Sequence, residues 1–69
     1  MFKVQIENQD KKVIIEFTAD TLANAKSLAE DQVSKALAQL VNVTSATAFV
    51  WNLEIGGIDA MLDADGWDY

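Results

Sequence analysis

The chain has no cysteine, no histidine, no arginine and no proline among its 69 residues. Without Cys it has no disulfide framework, and without Cys and His it lacks the usual ligands of zinc and haem. Ser and Thr are present, but there is no imidazole to activate a hydroxyl, no Cys nucleophile and no Gly-x-Ser-x-Gly elbow. No catalytic residue, metal ligand or cofactor site is therefore assigned. Positive charge is also scarce, with five lysines against 11 acids, a net charge of −6 and a pI near 4.1. Nucleic-acid binders displace counterions from phosphate with basic groups, so direct binding of nucleic acid is not expected. Apolar runs are broken by Gln, Asn, Thr or charge, well short of the roughly 20 residues that span a bilayer. The opening Met1-Phe2-Lys3-Val4-Gln5 lacks the apolar core and cleavage site of a signal peptide. The expectation is a cytoplasmic protein with no membrane partner.

What is present reads as one small folded unit spanning residues 1–69. Apolar residues make up 51% of the chain, a globular rather than disordered composition. Ten of them are Ala, so few large side chains remain to fill a core. A second copy would help a chain this short, and a homodimer is one of the two partner expectations. The charge is unevenly spread. Residues 1–35 hold all five lysines and six acids, whereas residues 36–69 hold five acids and no base. Such asymmetry marks either a solvated face or a surface made for a basic partner.

Hydrophobic periodicity sets the element order. Phe2, Val4 and Ile6 alternate with Lys3, Gln5 and Glu7, the period of a half-buried strand. A polar turn, Asn8-Gln9-Asp10-Lys11, leads to a second alternation with Val13, Ile15 and Phe17 inward, which predicts an antiparallel hairpin. Thr18, Asp20 and Thr21 offer N-cap oxygens for a helix. Its stripe is Leu22, Ala25, Ala29, Val33, Ala36 and Leu40, flanked by Leu28 and Leu37. The β-branched Val41, Val43 and Thr44 end it near residue 40. Thr47, Phe49, Trp51, Leu53 and Ile55 then alternate with Ala48, Val50, Asn52 and Glu54, predicting a third and longest strand with Phe49 and Trp51 in the core. Gly56-Gly57 supplies positive φ for a reversal. Residues 58–62 read as a fourth strand, with Ile58, Ala60 and Leu62 inward, or as a helical turn. The fold class is α+β: a ββαββ chain with an antiparallel sheet and one helix packed on one face.

The candidate functional residues lie in the acidic C-terminal half. Asp63, Asp65 and Gly66 mimic the middle of a calcium loop, but Met61 falls where the first acid belongs and the closing Glu lies beyond Tyr69. A plain turn is the better reading. Trp67 and Tyr69 alternate with Asp68; they either close a small core or serve as interface anchors, for which Trp and Tyr are favoured. Glu54, Asp59, Asp63, Asp65, Trp67, Asp68 and Tyr69 are thus the candidate partner-binding set, facing a protein with a basic surface.

A hairpin, then Phe17-Thr18-Ala19-Asp20-Thr21-Leu22-Ala23-Asn24-Ala25-Lys26-Ser27-Leu28-Ala29, then a hairpin ending Asp65-Gly66-Trp67, resembles small phage- and mobile-element-encoded inhibitors of the anti-CRISPR type. The likeness covers the whole chain as element order and carries no functional residue across. It implies a stoichiometric inhibitor that blocks a nucleic-acid-binding host complex by occupying its surface. The alternative is a homodimeric or small-subunit interaction domain without an inhibitory role.

Overall fold

A computed structural model describes residues 1–68. Five strands form one antiparallel sheet in the order β2-β1-β3-β4-β5: β1 Phe2–Glu7, β2 Val13–Ala19, β3 Thr47–Asn52, β4 Gly57–Asp63 and β5 Gly66–Trp67. A single helix, α1 Leu22–Gln39, follows β2 and packs on one face. This is the expected ββαββ arrangement, with a two-residue fifth strand added at the edge. Residues 58–62, open between strand and helical turn in the sequence, are strand.

Local chemistry accounts for the boundaries. Asn8 organises the first hairpin: its Oδ1 accepts from the amides of Asp10 at 2.9 Å and Lys12 at 3.1 Å, while Lys11 takes φ +63°. Thr21 caps α1 by accepting the Asn24 amide at 3.1 Å. Asn52 stops β3, its Oδ1 accepting from the Glu54 amide at 3.0 Å and its carbonyl from the Gly56 amide at 2.8 Å. At the β4–β5 turn the Asp63 Oδ1 accepts from the Asp65 amide at 2.9 Å and Gly66 takes φ +107°. The Asp63-to-Gly66 segment is therefore an Asx-type turn.

The core lies between α1 and the middle of the sheet. Val4, Ile6, Ala48, Val50 and Ala60 from the sheet meet Ala25 and Ala29 of the helix, all inaccessible to solvent. Seven of the ten buried apolar residues are Ala. Small residues on both sides let the helix axis sit close to the sheet, and larger side chains such as Phe2, Phe17, Leu62 and Trp67 close the margins.

Several expectations are corrected. β3 ends at Asn52, so Leu53 and Ile55 lie in an exposed turn, Ile55 being 72% exposed. The face of β3 is also the reverse of that expected. Pairing of Val4 with Val50 and of Ile6 with Ala48 turns those residues to the helix and leaves Phe49 and Trp51 on the other face. Both parities of Thr47–Trp51 are rich in apolar residues, so alternation alone favours neither, and it is the smaller set, Ala48 and Val50, that packs with the alanine face of the helix. Finally, the ladder slips between Val50 and Trp51, so Ile58 stands opposite Trp51 rather than inward with Ala60 and Leu62. A similar slip at Ile6 and Glu7 leaves Ile14 half-buried and Val13 41% exposed. Of the two glycines at the β3–β4 turn, Gly56 alone has positive φ. Leu28 and Leu37, which flank the helical stripe, are each more than two-fifths exposed, and so is Leu40, which its spacing puts on the stripe but which caps the helix instead.

Candidate functional site

The five C-terminal acids fall into separate groups. Glu54 sits in the β3–β4 turn, and Asp59 is the extra residue at the slip in β4, where its Oδ2 accepts from Asn52 Nδ2 at 3.1 Å. Asp63 and Asp65 lie at the opposite end of β4, in the turn to β5. Asp59 and Asp63 are four positions apart along the strand, about 13 Å of chain. Asp68 follows β5, its amide bonded to the Met61 carbonyl at 2.9 Å. Among the described residues, no three acidic side chains converge as a metal ligand set. All these acids belong to the β4–β5 side of the sheet or the turns that bound it.

Trp67 is held within the chain. Its position opposite Leu62 turns the ring to the helix side, where it packs against the core. Nε1 donates to Glu30 Oε1 at 2.7 Å, and Lys26 Nζ stands 5.1 Å from the ring centroid. The sequence left Trp67 open between core and interface; its ring and polar edge are both engaged intramolecularly. Tyr69 lies outside the described residues.

Asp63 and Asp65 border a groove of about 570 Å³ between the C-terminal half of α1, the α1–β3 loop and the β4–β5 turn. Val33, Leu37 and Ala46 give it an apolar lining, Thr44, Ser45 and Thr47 a polar one, and no basic residue lines it. The loop that forms its wall is pinned from a distance by Gln9. The Gln9 Nε2 donates to the Asn42 carbonyl at 2.7 Å, and its Oε1 accepts from the Thr44 amide at 3.1 Å. The sequence marks Gln9 only as a turn residue. Its reach across more than thirty positions is a tertiary feature that no local pattern encodes.

Among the described residues, no element packs on the face of the sheet away from α1. That face carries Lys3 and Gln5 from β1, Glu16 and Thr18 from β2, Phe49 and Trp51 from β3, and Ile58 and Met61 from β4. Glu16 accepts from Gln5 Nε2 at 2.8 Å and pairs with Lys3 Nζ at 3.6 Å. Its carboxyl is held below the usual value, first by the Gln5 hydrogen bond and further by the Lys3 charge, against the opposing effect of desolvation. Trp51 Nε1 is enclosed and has no hydrogen-bond partner.

Comparison with known proteins finds no family model that matches the chain, no similar curated protein and no similar solved structure. Among the described residues, no helix is long and apolar enough to cross a membrane.

Proposed function

We propose that the chain is an acidic protein-binding module, an inhibitor that occupies the basic surface of a nucleic-acid-handling partner. The observation that carries this reading is the groove bordered by Asp63 and Asp65. It joins an apolar lining, Val33 and Leu37, to two carboxylates with no lysine among the lining residues. That combination suits a Lys- or Arg-bearing segment with an apolar side chain between its charges. The carboxylates steer the encounter, and the apolar lining supplies desolvated contact. Asp68, Asp59 and Glu54 extend the negative field along the same side of the sheet.

The test is affinity capture of the partner from the native host with wild-type protein and with Asp63→Asn plus Asp65→Asn, at low and high salt. Capture by the wild type weakens as salt rises, and the double variant captures at least about tenfold less at low salt. Capture indifferent to both changes overturns the charge-based reading.

A further inference from the structure

We infer that the face of the sheet away from α1 is a self-association surface, on which a second copy of this chain docks face to face. The face has the composition of an interface: Phe49, Trp51, Ile58 and Met61 form an apolar half on β3 and β4, and Lys3, Gln5, Glu16 and Thr18 a polar half on β1 and β2. Phe49, Trp51 and Met61 are half-buried and Ile58 is 41% exposed, so all four present apolar surface to solvent on this face.

The occupant is argued from self-complementarity. Consider a two-fold axis that lies between two facing sheets, runs across the strands, and passes at the level of Val4, Val50 and Ala60. Each strand then faces its own counterpart, and each outward residue meets the one two positions along. Phe49 meets Trp51 of the second copy, and Trp51 meets Phe49. Met61 meets Ile58, across the slip in the ladder. Gln5 meets Lys3, and Glu16 meets Thr18 beside the Lys3 of the other copy. Every column thus matches apolar to apolar, or charge to a neutral or opposite group, and no like charges are opposed. An isologous dimer requires this reciprocity, and facing sheets stack about 10 Å apart.

The area sets the expected strength. Four strands about 4.8 Å apart and six residues long offer about 400 Å² per copy, or about 800 Å² in total. That lies below the range of about 1,200–2,000 Å² for stable complexes. The dimer is therefore transient and concentration-dependent.

Sedimentation velocity at about 0.15 M salt, from about 5 to about 500 µM protein, tests the proposal. The wild type is expected to shift from monomer towards dimer across this range. Phe49→Asp weakens association at least about tenfold. Lys3→Glu, which sets a carboxylate beside Glu16 of the second copy, weakens it severalfold. Leu28→Asp, on the helix side, leaves it unchanged. Far-UV circular dichroism checks each variant; should Phe49→Asp unfold, Lys3→Glu, at a partly exposed position, decides. A wild type monomeric at the highest concentration overturns the proposal. So does a dimer that survives Lys3→Glu undiminished, or one that Leu28→Asp abolishes. The Asp63 and Asp65 groove lies on the helix side, so failure of either proposal leaves the other standing.

Discussion

The indole Nε1 of Trp67 donates a 2.7 Å hydrogen bond to Oε1 of Glu30, and Lys26 Nζ lies 5.1 Å from the centroid of the same ring. One side chain thereby ties the two-residue edge strand β5 to the first half of α1. The chain's other indole is its opposite: Trp51 Nε1 is enclosed without a partner.

Replacing each tryptophan by phenylalanine separates the two situations. Trp67→Phe removes a made hydrogen bond and part of an aromatic contact, and should lower stability by about 1–2 kcal/mol. Trp51→Phe removes a donor that bonds to nothing, so relief of its desolvation offsets the lost ring area and the change stays within about 1 kcal/mol. Urea denaturation below the concentrations of self-association measures both. Equal losses for the two variants refute the distinction.

Gln9 makes a prediction about order at a distance. Its amide bonds both Asn42 and Thr44, at exposed sites where each bond contributes at the low end of about 0.5–1.5 kcal/mol. Gln9→Ala should therefore destabilise by about 1 kcal/mol, with the Thr44 amide losing hydrogen-exchange protection while the Val4 and Val50 amides keep theirs. Gln9→Glu retains the acceptor for Thr44 but not the donor for Asn42, so Thr44 protection should survive in it. Loss of protection at Thr44 in both variants places the effect elsewhere than in this bond.

The ββαββ order was legible in the sequence, but the short fifth strand, the end of β3 and the assignment of faces were not. Alternation in Phe2–Glu7 pairs apolar with polar residues, and Val4 and Ile6 are indeed wholly buried. In Thr47–Trp51 both parities are rich in apolar residues, so periodicity carried no information there and residue size misled. Large rings suggest core, yet the residues that meet Ala25 and Ala29 at the centre of the interface are the small Ala48 and Val50, and rings on the helix side sit at the margins. The ladder slips at Ile6/Glu7 and Val50/Trp51 are likewise set by pairing between strands. The acidic half was visible as a charge count, whereas its division between the two ends of β4 depends on where Asn52 and Gly66 turn the chain.

Gly66 and Gly57 offer a test of backbone against packing. Neither has an atom within 4 Å of the site a Cβ would occupy, but Gly66 has φ +107° and Gly57 does not have a positive φ. Gly66→Ala should cost about 1–2 kcal/mol purely as backbone strain, seen as a lower denaturation midpoint with unchanged slope. Gly57→Ala should be neutral or slightly stabilising, because alanine restricts the unfolded chain. A neutral Gly66→Ala is incompatible with the turn geometry described for Asp63–Gly66.

Glu16 carries a pH dependence whose sign follows from its partners. Its carboxyl is lowered in the folded chain, chiefly by the Gln5 hydrogen bond and further by the charge of Lys3. A group lowered on folding contributes stability that is present above its unfolded value and disappears as pH falls through the folded one. The loss should therefore come on the acid side of the ordinary glutamate range. Carbon-detected NMR titration should find Glu16 ionising on the acid side of the ordinary glutamate range. Gln5→Ala should raise the Glu16 midpoint, because its hydrogen bond is the largest single cause, and Lys3→Met should raise it too by removing both a charge and a hydrogen bond. Salt at about 1 M shortens the screening distance to about 3 Å and should erode the Lys3 contribution while leaving that of Gln5. If Gln5→Ala leaves the midpoint unmoved, the hydrogen bond from Gln5 at 2.8 Å is not what holds the carboxyl down, and the assignment of cause fails.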